Sequence, residues 1–160
     1  MNEISTVPLL LELLDISGCI VTVGAVSCQR EITKKIIDCK GDYVLSLKEN
    51  QPMLYEYAET YFKDVLEHPQ CYPEMILYET VDKGHGGIEK RTYYLSSDLS
   101  RLDNAADWSG LAGFMIRSHV SIGEVEASEI RYAITLLKSV EVFVLPGESV
   151  GELRMASIIV

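Results

Sequence analysis

The chain has 160 residues, enough for one domain with a real core and too few for two ordinary ones. Hydrophobic residues make up 48% and charged residues 24%. No apolar run reaches the roughly 20 residues that span a bilayer, and the start has no signal-peptide pattern. A cytoplasmic globular protein without a membrane partner is therefore expected. Lys and Arg number 14 against 24 acids, a formal net charge of −10, which makes the chain a poor electrostatic partner for nucleic-acid phosphates.

Residues 4–14 read as a short helix, with Pro8 tolerable in a first turn and Val7, Leu10, Leu11 and Leu14 on one stripe. Ser17-Gly18 ends it. The β-branched run Cys19–Val23 reads as a buried parallel strand. Ser27 is the expected N-cap of a helix from Cys28 to about Cys39, with Ile32, Ile36 and Ile37 inward and Lys34 and Lys35 outward. Gly41 stops that helix and Tyr43–Leu47 follows as a second strand. Strand, helix, strand in this spacing predicts a parallel βαβ unit with a right-handed crossover. Asn50 is the expected cap of a third helix with Pro52 near its start. Leu54, Ala58, Tyr61, Phe62 and Val65 carry its 3.6-residue period, and His68-Pro69 closes it.

From Met75 the period changes to two. Ile76–Lys83 and Ile88–Leu95 are expected to pair around the glycine-rich turn at 83–87, and Leu111–His119 and Ala127–Leu136 around the turn at 122–124. Cys19, Cys28, Cys39 and Cys71 form no C-x-x-C pair and no metal spacing with His, so reduced thiols are expected. The predicted architecture is α/β over about residues 1–50, then a helix and an antiparallel β insertion over about 51–138.

Particular residues at consistent spacing carry a resemblance. They include Asn2-Glu-Ile4, Pro8-Leu-Leu-Leu-Glu-Leu-Leu14, Ile20-Val-Thr-Val23, Cys28-Gln29, Lys34-Lys-Ile36, Gly41-Asp-Tyr-Val-Leu45, Leu47-Lys48 and Asn50-Gln51. The series continues in order with Lys83-Gly-His-Gly86, Ile88-Glu89, Arg91, Tyr93-Tyr94, Trp108, Gly110-Leu111, Glu129 and Arg131-Tyr132. From about residue 2 to 139 the chain resembles the H-repeat-associated transposases, an insertion-sequence family of the DDE type found beside Rhs elements. The resemblance implies a partial ribonuclease-H-like core, DNA transposition in the parent, and an Asp-Asp-Glu set holding two Mg²⁺ or Mn²⁺ ions.

The departures bear on activity. By the resemblance, the first Asp belongs to a strand that would precede Met1, and is expected to be missing with the first three strands of the fold. The second belongs at the C-terminal end of the Cys19–Val23 strand, where Gly24 stands. Asp15 and Asp42 cannot substitute, because both sit at strand entrances, away from the edge where such a site forms. The Glu belongs to a Trp-x-Ile-Glu-Asn-x-Leu-His-Trp motif, but after Lys138 the chain reads Ser139-Val-Glu-Val-Phe-Val-Leu-Pro146. Codons allowed for the stretch from Val150 onward, read one base earlier, encode Trp-Arg-Ile-Glu-Asn-Gly-Leu-His, so residues 139–160 are expected to be a frameshifted tail. No catalytic residue is then intact, and no metal or cofactor is expected to bind.

By resemblance, the candidates for DNA contact are Lys48, Asn50, Gln51, His85, Glu89 and Arg91. Their plain structural readings are a strand end for Lys48, a helix cap for Asn50, a turn for His85, and a same-face ion pair for Glu89 and Arg91. Gly87 replaces a cation that relatives tend to carry. DNA binding is thus expected to be weak or absent here. Two functions follow: an inactive transposase remnant, or an interaction protein that pairs with an intact transposase and inhibits it. The second rests on a sheet edge left open by the missing strands, which predicts a homo-oligomer or a tail packed on that edge.

Overall fold

The computed structural model describes residues 3–84, 86–123, 126–137 and 154–157. Within them the β-branched run Cys19–Val23 forms strand β1, and Asp42–Leu47 forms β2. The two pair in parallel, from Ile20 opposite Asp42 to Val23 opposite Leu45. Helix α2, Arg30–Asp38, lies between them in the chain. It starts two residues later than the sequence suggests. Ser27 is buried in a 3₁₀ turn, Ala25–Ser27, and Gln29 takes the N-cap position without a side-chain cap bond. Ile32 and Ile36 are buried as expected, while Ile37 is only half-buried.

Helix α1, Glu3–Leu13, holds Pro8 in its interior, where the missing amide leaves the Ile4 carbonyl without its helical donor. Val7 and Leu11 of the expected stripe are fully buried, but Leu14 is exposed. At the α2–β2 junction the left-handed residue is Lys40, with φ 61°. Gly41 serves close packing instead: a Cβ there would meet Ile16 Cδ1 at 3.0 Å and Ile36 Cγ2 at 3.2 Å.

Helix α3, Pro52–Glu67, buries Leu54, Ala58, Phe62 and Val65. Beyond it, β3 (Ile76–Gly84), β4 (Gly87–Ser96), β5 (Gly113–Gly123) and β6 (Ala127–Thr135) form an antiparallel meander. Strand β5 is displaced relative to the sequence reading. Ile122 and Gly123, expected in a turn, pair with Ile88 and Gly87. Strand β6 then pairs antiparallel with β2, so core and insertion share one α/β sheet of order β3-β4-β5-β6-β2-β1-β7.

Val7 and Leu11 of α1, Ile32 and Ile36 of α2, and Leu54, Ala58 and Phe62 of α3 form one cluster with Val21, Val23, Tyr43, Leu45, Ile116, Tyr132 and Ile134. Among the described residues α1, α2 and α3 share this one face of β1 and β2, while Ile20 and Val44 are buried on the other. Strand β7, Arg154–Ser157, lies parallel to β1, from Cys19 opposite Arg154 to Thr22 opposite Ser157. The β1 edge expected to be free is thereby taken up within the same chain, as the alternative of a tail packed on that edge has it.

A Cβ at Gly113 would lie 2.1 Å from the Ser96 carbonyl oxygen, whereas one at Gly84 would meet nothing within 4 Å. We expect Gly113→Ala to lower unfolding stability in urea by about 2–3 kcal/mol through forced separation of β4 and β5. Gly84→Ala should change it little. Equal midpoints for the two variants would contradict this account of the β4–β5 approach.

Candidate functional site

Parallel strands end on the same side of their sheet, and in α/β proteins ligand sites gather there. The segments after β1 and β2 accordingly meet. Asn50 Nδ2 donates to the Ala25 carbonyl at 2.8 Å, and Gln51 Nε2 donates to the Cys28 carbonyl at 2.9 Å. The two amides tie the loops together, which replaces the helix-cap role expected of Asn50. Gln51 occupies the N-cap position of α3 without a side-chain cap bond. Gly24 is exposed and extended, with φ −64° and ψ 166°, at the C-terminal end of β1. Lys48 is exposed, and its carbonyl accepts a bond from the Gln51 amide.

In residues 24–29 and 48–51 the one carboxylate is Glu49. The Cys28 thiol beneath is buried, which pushes its pKa up to about 12 and leaves it unreactive. Two divalent ions need several converging carboxylate oxygens, and this edge offers the single carboxylate of Glu49 beside a glycine, an ammonium and two amides already engaged. The residues do not fit such a metal pair. Among the described residues no three His, Cys, Asp or Glu side chains gather as a metal site.

Glu89 and Arg91 lie on the outer part of the sheet. Residues directly opposite in neighbouring strands project from the same face, and the register aligns Arg91 with His119 and His119 with Glu129. Arg91 Nη2 binds Glu89 Oε2 at 2.7 Å, and its Nη1 lies 3.8 Å from Asp82. His119 Nε2 is 3.6 Å from the same Glu89 oxygen. Arg131 Nε donates to Glu129 at 2.8 Å, with Arg117 3.8 Å from that carboxylate. Three guanidiniums are thus matched by three carboxylates, and the face carries little net charge. His85 lies outside the described residues.

The last β2–β6 pair is Leu47 opposite Tyr132, so the next residues on the two strands are Lys48 and Arg131. Arg91 sits on β4, three strands from β2 in the sheet order, or about 14 Å across it. The expected contact residues therefore divide into two groups. Arg117 and His119 joined the second group without being singled out in the sequence. Their shared parity with Arg91 becomes visible only once the hairpin register is known.

No protein-family profile matches the chain, and no solved structure does. Sequence relatives do match. A protein of Xanthobacter autotrophicus, named only by its place in the dhlA 3′ region, is 32% identical over 136 residues, covering 84% of this chain and 44% of its own. "Putative transposase YncI" of Escherichia coli O157:H7 is 30% identical, covering 83% of this chain and 38% of its own. "H repeat-associated putative transposase YhhI" of Escherichia coli K12 is 35% identical, covering 69% and 29%. The chain spans less than half the length of these relatives.

Two outcomes follow from this geometry. The double change Asn50→Ala, Gln51→Ala should destabilise the fold by about 1–2 kcal/mol, because two carbonyl acceptors lose their donors. A melting temperature equal to that of the parent would show that the amide ties contribute nothing.

The Arg131 hydrogen bond, foremost, holds the Glu129 carboxyl below the usual glutamate range. A lowered carboxylate value favours the folded state above the ordinary glutamate range, and the gain disappears as pH falls through the lowered value. Carbon-13 titration should place the Glu129 midpoint below that of an unperturbed glutamate, and Arg131→Ala should raise it. No change on removing Arg131 would refute the assignment.

Proposed function

From the kinship of this chain with part of the H-repeat-associated transposases, we propose that it is a catalytically silent remnant of a DDE transposase. Its sheet corresponds, on this reading, to part of a ribonuclease-H-like catalytic domain from an insertion sequence. The carrying observation is Gly24. It stands at the C-terminal end of β1, where the resemblance puts the second metal-binding carboxylate.

Three further features support the reading. Glu49 is the one carboxylate in the two adjoining loops, and a single carboxylate cannot hold a pair of divalent ions. The tail from residue 139 departs from the family's Glu-bearing motif, and codons permitted for residues 150–158 can encode that motif in a shifted frame. The charge of −10 opposes DNA, and the arginines on the outer sheet are already neutralised by Asp82, Glu89 and Glu129. DNA transposition is the ancestor's activity on this account, and no bond-breaking step is assigned to these residues.

The test is strand cleavage. Supercoiled plasmid incubated with the purified chain and Mg²⁺ or Mn²⁺ should stay intact. Gly24→Asp should leave it intact as well, since the restored group still lacks partners to hold two metals. Metal-dependent nicking that survives repurification and disappears on mutating Glu49 would overturn the proposal.

A further inference from the structure

Along one flank of α3 the chain leaves a hollow of about 630 Å³, within the size range of small-molecule sites. The helical period builds its wall. Tyr57, Tyr61 and Asp64 follow one another at spacings of four and three, so they share a stripe. The 3₁₀ turn Pro69–Cys71 then brings Tyr72 back against Tyr61, with the rings 5.1 Å apart at 69°. Tyr57 and Tyr61 lie nearly parallel, 6.2 Å apart at 15°. Two aromatic walls therefore meet at a steep angle. Arg101, Leu102 and Asp103, from the loop after β4, also line the hollow.

All three hydroxyls are engaged. Tyr57 donates to the Asp98 carbonyl at 3.0 Å, the Tyr61 oxygen accepts from Ser96 Oγ at 2.8 Å, and Tyr72 donates to Asp64. Phenols pinned in this way offer a ligand their ring surface, whose quadrupole attracts a cation. The charges around the rings have the same preference. Glu56, Glu67 and Asp103 line the hollow, and their carboxylates have no ion pair or hydrogen bond among the described residues. The two cations of the lining are matched elsewhere. Lys63 lies 3.8 Å from Glu59. Arg101 faces Asp98, whose carboxyl is held below the usual aspartate range by the Ser100 hydroxyl and amide first and by that cation next.

We propose that this hollow binds a small organic cation of the quaternary ammonium class. Such an ion buries its methyl groups against the rings and keeps its charge beside the carboxylates. A small inorganic cation is more strongly hydrated and gains less from the rings. An anion is opposed by the three carboxylates and by the net charge of −10. The site is independent of the ancestry argued above. Ring contacts at a part-exposed position are weak, which gives a dissociation constant on the order of 1 mM. Added salt screens the carboxylates and raises that constant.

Choline chloride titrated into the full chain from about 0.1 to about 50 mM, at constant ionic strength, brackets that constant. Nuclear magnetic resonance should show saturable shifts on the ring signals of Tyr57, Tyr61 and Tyr72. The uncharged analogue of choline, with carbon in place of nitrogen, should bind at least about tenfold more weakly. Tyr72→Phe keeps the ring and should bind choline within about twofold of the parent, whereas Tyr72→Leu should weaken binding about fivefold. The triple variant Glu56→Gln, Glu67→Gln, Asp103→Asn alters exposed positions only and should weaken it about threefold. Should Tyr72→Leu misfold, the comparison of choline with its uncharged analogue on the parent chain still carries the test. Shifts that never saturate overturn the proposal. So does equal binding of the uncharged analogue, or full affinity in the folded Tyr72→Leu variant.

Discussion

Strand β6 holds the molecule together. It bonds to β5 on one side and to β2 on the other, so it joins a meander of near neighbours to a parallel pair from the start of the chain. The junction is dry. Ile134 and Thr135 are fully buried, and the Thr135 hydroxyl donates to the Tyr43 carbonyl at 2.9 Å while accepting from the Leu137 amide at 3.0 Å. A buried hydroxyl without partners costs far more than a satisfied one contributes. Thr135 therefore specifies the β6–β2 register as well as supporting it. Tyr132 and Ile134 carry the helix-side cluster across the same junction, which lets α3 pack on both halves of the sheet.

The electrostatics repeat one theme at two places. After β1 and β2, polar side chains spend their donors on neighbouring carbonyls. On the outer sheet, Arg91 and Arg131 spend theirs on nearby carboxylates, while the buried Arg117 Nε and His119 Nε2 have no hydrogen-bond partner among the described residues. Surface ion pairs of this kind contribute little stability, but they cancel local charge. The excess of acids in the sequence is then felt undiminished by any approaching polyanion.

Much of this was legible in the sequence because periodicity reports burial directly. Cys19–Val23, Asp42–Leu47 and the 3.6-residue stripe of α3 were read nearly to the residue, as were the hairpin strands on either side of residues 84–87. The errors have physical causes. Ser27 has the chemistry of a cap, but the chain makes a 3₁₀ turn first and buries it. Asn50 has the same chemistry, but the Ala25 carbonyl, distant in sequence and close in space, takes its amide. Turn glycines misled too: Gly123 lies in β5 because the backbones at Gly87 and Gly123 approach closely, a contact that no local pattern encodes. Face assignments were harder still. Alternation says that a strand has two sides, and only the packing shows that, among the described residues, α1, α2 and α3 share one.

The pairing of β7 with β1 has a consequence for synthesis. The contacts of β3, β4, β5 and β6 join neighbours in the chain, and such contacts form quickly. The β1–β7 pair closes a long loop, from Cys19 to Arg154. A ribosome making the protein releases β1 before the meander, and β1 stays unbonded on one side until residues 154–157 have followed the meander out. During that interval its backbone is open to any strand at hand, in a chaperone or in a neighbouring nascent chain. The vulnerable period of this molecule thus belongs to its birth, and its length is set by the rate of translation.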